Sequence, residues 1–204
     1  ELLEPICKEV SNDGTEFKPA TVLLNDSHAG NVVEYMAQKS VNGDKFIQDM
    51  KPELIVHNAG SGYIQKTSYM NMFVNIADKE LRDAVRHDPE FTDAMLKGES
   101  AVNDYFRKLL PNEIIDAQGG VSPFQNTLYY ADKGYVPKVM TVSEGYHDAT
   151  VTNRDIVPGQ FDMLNQLDKK GIYVGITNGS TGINPYSIDN NPYFQGYTFP
   201  SDIK

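Results

Sequence analysis

Tryptophan is absent from this 204-residue chain, and cysteine occurs once, as Cys7. One cysteine excludes an internal disulfide framework, and the missing Cys-x-x-Cys and Cys/His spacings exclude a zinc finger. Cys7 reads as a buried structural thiol, the commoner role of a lone cysteine. Cations are scarce: 18 Lys+Arg stand against 28 Asp+Glu, for a formal net charge of −10. That balance excludes duplex nucleic acid or an anionic membrane as the main partner, because binding phosphates needs a basic footprint. No stretch approaches eighteen consecutive apolar residues, so no membrane span is expected. Internal repeats, heptads and low-complexity tracts are also missing. The chain opens on Glu1 without a signal-peptide pattern, as a processed or trimmed amino end would.

What is present suits one substantial domain over residues 1–204. A composition change near 118–121 also allows a division into an α/β part, 1–118, and a β-rich part, 119–204. Residues 21–62 read as a unit. An apolar run at 21–24 is followed by a polar turn, an amphipathic segment, a second apolar run at 54–56 and a glycine-rich turn, the order of a β-α-β unit. Paired in parallel, the two runs bring Asp26, His28, His57 and Asn58 to one edge, where open α/β sheets bind ligands.

The remaining elements follow from spacing and punctuation. Residues 30–40 place Val32, Val33 and Met36 at helical intervals, with Asp26 or Ser27 as the cap. A further turn carries Phe46, Ile47 and Met50 and stops at Pro52 before the second strand. The run 61–76 is rich in tyrosine, isoleucine, methionine and valine and reads as one or two strands. Helices are expected over 79–86, capped by Asp78, over 90–96, entered through Asp88-Pro89, and over 99–110, where Val102, Tyr105, Phe106 and Leu109 share a face. After Gly119, short apolar runs at 126–130, 135–142 and 172–177 alternate with turn residues. They predict a mainly antiparallel β region, with Asp132-Lys133-Gly134 as a hairpin turn and one helix over 160–169. Residues 178–204, rich in proline, asparagine and aromatics, predict an extended C-terminal arm. The expected class is therefore α+β: an N-terminal β-α-β unit and helices, an antiparallel β region, and the arm.

Chemistry concentrates at Asp26-Ser27-His28. A carboxylate and an imidazole two residues apart suit one zinc, iron or manganese ion, and the bland alternative is that Asp26 caps a helix. The string NDSHAGN at 25–31 resembles the first metal-ligand motif of calcineurin-like phosphoesterases, above all the 5'-nucleotidase branch. That resemblance implies Asp26 and His28 as metal ligands, while the later Gly-Asp and Gly-Asn-His-Asp/Glu elements of the family have no counterpart here. Asp26, His28 and Gly30 are also similar to the cobalamin-binding Asp-x-His-x-x-Gly loop, with the glycine one residue early. His57-Asn58-Ala59-Gly60 is similar to the Asn-Ala-Gly element of short-chain dehydrogenases, but no glycine-rich dinucleotide fingerprint precedes it. His57 alternatively reads as a turn residue satisfied by backbone. Gly60-Ser61-Gly62 lacks the spacing of a nucleophile elbow, and residues 143–148 read as a polar loop.

Three functional readings follow. The first is a structural or assembly protein of a virus particle or cell-surface complex, making contacts with copies of itself or other subunits through Tyr186, Tyr193, Phe194, Tyr197 and Phe199 of the arm. It rests on the arm, the abundance of tyrosine and the want of a complete catalytic constellation. The second is a metal-dependent, phosphoester-type hydrolase with Asp26 and His28 as ligands and His57 and Asn58 as the catalytic candidates. The third is a non-catalytic ligand-binding module using the same edge. The residues name no cofactor and no compartment.

Overall fold

The structure is a computed structural model and describes residues 19–60 and 62–176. Cys7 and the arm, with Tyr186, Tyr193, Phe194, Tyr197 and Phe199, lie outside the described residues. Four strands, β1 (Thr21–Asn25), β2 (Lys51–Val56), β3 (Val139–Thr141) and β4 (Tyr173–Gly175), form one sheet in the order β1-β2-β3-β4. Every neighbouring pair is parallel. The expected β-α-β unit is present, with α1 (Gly30–Val41) and α2 (Lys45–Gln48) between β1 and β2. Pro52 sits inside β2 rather than before it, where its ring is buried.

Register explains the core. Leu24 lies beside Leu54, Leu54 beside Val139, and Val139 beside Tyr173, so one transverse row of apolar side chains faces the same way across all four strands. This row, with Val56, packs against Val33 of α1, Phe124, Leu128 and Ala131 of α7 (Pro123–Asp132), and Leu164 and Leu167 of α9 (Phe161–Lys169). Burying each of these large side chains contributes about 1.5–3 kcal/mol. A second cluster forms among α3 (Tyr69–Ile76), α4 (Lys79–Arg86), α5 (Pro89–Lys97) and α6 (Glu99–Leu109). Its centre is Phe106, whose ring lies 5.0 Å from Phe73, 5.4 Å from Tyr105 and 5.5 Å from Phe91. Ile114 and Val121 belong to this cluster, just before α7.

The antiparallel β region is overturned. Residues 126–130 lie within α7, residues 139–141 and 173–175 are strands parallel to β2, and residues 144–152 are α8 (Glu144–Thr152) rather than a polar loop. The physical cause is visible at each helix start. Ser122 accepts the Gln125 N–H at 3.0 Å with Pro123 at the first helical position, and Ser143 accepts the Tyr146 N–H at 3.1 Å. Those caps commit both segments to helix over the strand preference of their tyrosines and threonines. Asp132-Lys133-Gly134 is the end of α7 and not a hairpin: Lys133 and Gly134 donate back to Tyr129 O and Ala131 O, with Gly134 at φ 81°. Likewise the run at 61–76 contains α3, capped by Ser68 on the Asn71 N–H, where strands were expected. The class is thus α/β with a parallel sheet. That sheet takes two strands from each side of residues 118–121. Among the described residues, no helix is long and apolar enough to cross a membrane.

Candidate functional site

The carboxyl ends of β1 and β2 emerge side by side, as Asn25 is in register with Ile55. Immediately after Asn25, Asp26 adopts φ 70° and ψ 165° and is the one non-glycine residue with positive φ among the described residues. A residue with a Cβ pays about 1–3 kcal/mol for such backbone. Four hydrogen bonds hold it there. Its N–H donates to Ile55 O at 2.7 Å, which extends the ladder one residue past the strand, and its C=O accepts from the Ala29 N–H at 3.0 Å. Its carboxylate accepts from the Ser27 N–H at 2.7 Å and from the Tyr63 hydroxyl at 2.9 Å. Asp26 is only 6% exposed, whereas Tyr63 is 45% exposed. The hydrogen bond to Asp26, then its negative charge, hold the Tyr63 phenol above its ordinary pKa. Asp26 does cap the turn Ser27–Ala29 that leads into α1.

Around this strained residue three groups of side chains stand on the rim. His28 is exposed, its ring 6.4 Å from that of Tyr63, beside a niche too narrow for a water molecule and lined by Ser27, His28, Ile64, Gln65, Pro123 and Phe124. His57 directs Nε2–H to Asn25 Oδ1 at 2.8 Å, so its partner is a side chain of the neighbouring strand rather than backbone. Asn58 Oδ1 accepts from the Gly60 N–H at 2.8 Å and from the Tyr146 hydroxyl at 3.3 Å, while Tyr146 Oη accepts from the Ala59 N–H at 2.7 Å. Both Asn58 bonds fall on its oxygen, and the residue is exposed.

The loop that carries Tyr63 is anchored from below. Asp116, its side chain fully buried, accepts the Gln118 and Gly120 N–H groups at 2.9 and 2.8 Å and the Gln160 amide at 3.2 Å, and pairs with Lys66 at 3.0 Å. Thr67 N–H adds a bond to Val121 O at 2.9 Å. Gly159 is required beside it, since a Cβ there would stand 2.9 Å from Asp116 Oδ2. The segments that carry Lys66, Gln118 with Gly120, and Gln160 are thereby fixed to one carboxylate.

Asp26, His28, His57 and Asn58 thus lie at the exits of β1 and β2, where Asp26 and His28 both adjoin Tyr63 while His57 pairs with Asn25. Among the described residues no set of three His, Cys, Asp or Glu is placed to hold a metal ion. A metal on Asp26 and His28 would need a further protein donor from elsewhere, and both Asp26 carboxylate oxygens already accept hydrogen bonds. Sequence reasoning missed Asn25, Tyr63 and Tyr146. Asn25 adjoins the singled-out motif, but the two tyrosines arrive through the fold, from a loop and from α8.

No family model matches the chain, and no curated protein matches it. Among solved structures it is similar to the catalytic domain of Starch Synthase IV from Arabidopsis thaliana bound to ADP and acarbose, at 15% sequence identity and a TM-score of 0.48. The match covers 86% of this chain and 28% of that one. So distant a likeness bears on neither activity nor ligand.

The structural or assembly reading is corrected. Its arm lies outside the described residues, the β-rich module it was to extend is a parallel α/β sheet, and four tyrosines of the described part make internal contacts. Tyr63 binds Asp26, Tyr105 binds Asp88 at 2.6 Å, Tyr146 holds the β2 exit, and Tyr173 shares a hydrogen bond of 2.8 Å with Thr150. In place of a β-rich assembly module stands a parallel α/β sheet with polar groups collected at its carboxyl rim, the architecture in which small-molecule sites are built.

Proposed function

We propose that the rim at the carboxyl ends of β1 and β2 is a small-molecule site of an enzyme domain and that its ligand is uncharged and rich in hydroxyl groups. The observation that carries this reading is Asp26, a buried carboxylate held in glycine-only backbone at the ligand-binding end of a parallel sheet. Strain of that kind persists where function requires one placement of a side chain.

The ligand class is argued from what surrounds Asp26. Amide, imidazole and phenol groups of Asn25, His28, His57, Asn58, Tyr63 and Tyr146 can donate and accept hydrogen bonds, and flat rings suit the apolar faces of a polyol. Residues 25–30 and 57–65 contain no lysine or arginine. Lys66, the next cation along, is bound to Asp116 and Gln118. A phosphate would meet the Asp26 carboxylate with no lysine or arginine in either stretch to balance it, and the Ser27 N–H at the turn's amino end is already taken by that same carboxylate. The exposed His28 is the group in this arrangement best able to carry a proton to or from a bound hydroxyl.

Calorimetric titration with neutral saccharides and polyols, against inorganic phosphate and a nucleoside diphosphate, tests the reading. The expected result is saccharide or polyol binding that weakens at least tenfold in His28→Ala and Asn58→Ala. Binding of phosphate or nucleotide alone, or saccharide binding indifferent to both substitutions, would overturn it.

A further inference from the structure

The loop after β2 is held from outside the β1–β2 pair. Tyr146, in the first turn of α8, accepts the Ala59 N–H at 2.7 Å and donates to Asn58 Oδ1 at 3.3 Å. Together with the Gly60 N–H bond to the same oxygen, these contacts fix the backbone that carries Asn58. The place of α8 therefore decides where that part of the rim stands. Its amino end is seated on β4, since a Cβ at Gly175 would stand 2.6 Å from Glu144 Cα and 2.9 Å from Ser143 O. Thr141 Oγ1, at the end of β3, also donates to Ser143 O at 2.9 Å.

His147, the next residue, turns elsewhere. Successive residues of a helix project about 100° apart, so while Tyr146 reaches the β2 loop, the imidazole enters the seam between α8, α9 and β4. Its Nε2 lies 3.0 Å from Asp168 Oδ1 of α9, its Nδ1 3.1 Å from Asp148 Oδ1, and its ring 5.0 Å from that of Tyr173. Tyr173 is hydrogen-bonded to Thr150, whose hydroxyl donates to His147 O at 2.8 Å. Both ring nitrogens are taken by carboxylates, so the cluster offers no free base and is not a second catalytic centre. Exposure ranks its contacts. The His147 and Asp168 side chains are 16% and 37% exposed, against 76% for Asp148. The Arg154–Asp162 pair farther along the seam is open on both sides, and ion pairs so exposed contribute little. A further link, from the Asn165 amide to Val151 O, lies at the end of α8 away from Tyr146.

We propose that His147 is a positioning residue for the rim: bridged to Asp168, it locks the first turn of α8 against α9 and β4, and through Tyr146 it sets the place of Asn58, Ala59 and Gly60. The inference rests on the reading of the rim as a ligand site and extends it to a polar lock that touches no ligand. Affinity at the β2 exit then depends on the seam between α8 and α9. Opening that seam costs the rim the order of its donors and acceptors and removes none of them.

Amide hydrogen exchange of the ligand-free protein tests this. The Ala59 N–H reports the Tyr146 contact, and the Leu54 N–H, bonded to Lys138 O at 3.1 Å within the sheet, reports the fold. Tyr146→Phe, His147→Ala and Asp168→Ala are each expected to speed Ala59 exchange at least about tenfold while Leu54 stays as protected as in the parent. Asp168→Asn keeps an oxygen for the imidazole and should hold Ala59 at least about threefold slower than Asp168→Ala does. The same order is expected for affinity toward whichever neutral saccharide or polyol the parent binds. Ala59 exchange unmoved by His147→Ala and Asp168→Ala, or sped only together with Leu54, would overturn the proposal, as would Asp168→Asn no milder than Asp168→Ala. Exchange is read without ligand, so failure of the saccharide titration bears on the ligand class and not on the lock.

Discussion

At the scale of single residues, Asp26 separates stability from function. Replacing it by glycine relieves about 1–3 kcal/mol of backbone strain and forfeits two carboxylate hydrogen bonds worth about 1 kcal/mol each. Asp26→Gly is therefore expected to stay within about 2 kcal/mol of the parent in urea denaturation, while binding at the rim falls at least tenfold. A large loss of stability with binding intact would show that Asp26 is only a cap. Two other carboxylates contribute to the acid limb of stability. The Tyr105 hydroxyl and then the Glu90 N–H hold Asp88 below the ordinary value of 3.8, and Lys170, assisted by Gln166, does the same for Asp132. A lowered carboxyl pKa adds stability above the ordinary value, and that stability is lost as pH falls through the lowered one. Asp88→Asn and Asp132→Asn should each flatten the decline of the thermal midpoint below about pH 4 and leave its pH dependence near neutrality unchanged.

At the scale of elements, the crossing of α1 over α7 depends on Gly30. A Cβ there would stand 2.3 Å from Pro123 O and 2.5 Å from Thr127 Oγ1, a distance that backbone on the α7 side cannot yield by rotating a side chain. Gly30→Ala is expected to cost about 1–3 kcal/mol or more in urea denaturation, despite alanine's better helix propensity. It should also disturb the turn that positions His28, two residues earlier. An alanine variant as stable as the parent would mean that the two helices can separate freely. The glycine followed the Asp-x-His motif in the sequence, where it invited comparison with ligand-binding loops. In the fold its role is steric.

At the scale of the whole molecule, the two larger of three apolar clusters among the described residues differ in character. The one under the sheet is closed by α1, α7 and α9, whereas α4 leaves Leu81 exposed at 45% and α5 leaves Met95 and Leu96 exposed at 57% and 85%. Local opening free energy follows buried apolar contact. Amide exchange should accordingly be faster in α4 and α5 than in β2 and α7 by at least tenfold, and a single exchange rate for both regions would contradict two units of unequal stability.

Local signals were enough for α1, α4, α5, α6 and α9, because their boundaries are written in caps such as Asp78 and Asp88-Pro89 and in apolar spacing. They were also enough for the parallel pairing of β1 with β2, whose connection is too long for a hairpin, and for the place of Asp26, His28, His57 and Asn58 near strand ends. The Ser122-Pro123 and Ser143 caps were equally legible but were outweighed by tyrosine-rich runs that suit either helix or strand. Only the tertiary structure decided that β3 and β4 run parallel, that Tyr63 and Tyr146 reach the rim, and that His57 turns to Asn25. Pairing direction and side-chain convergence depend on contacts between residues tens of positions apart, and no local spacing encodes them.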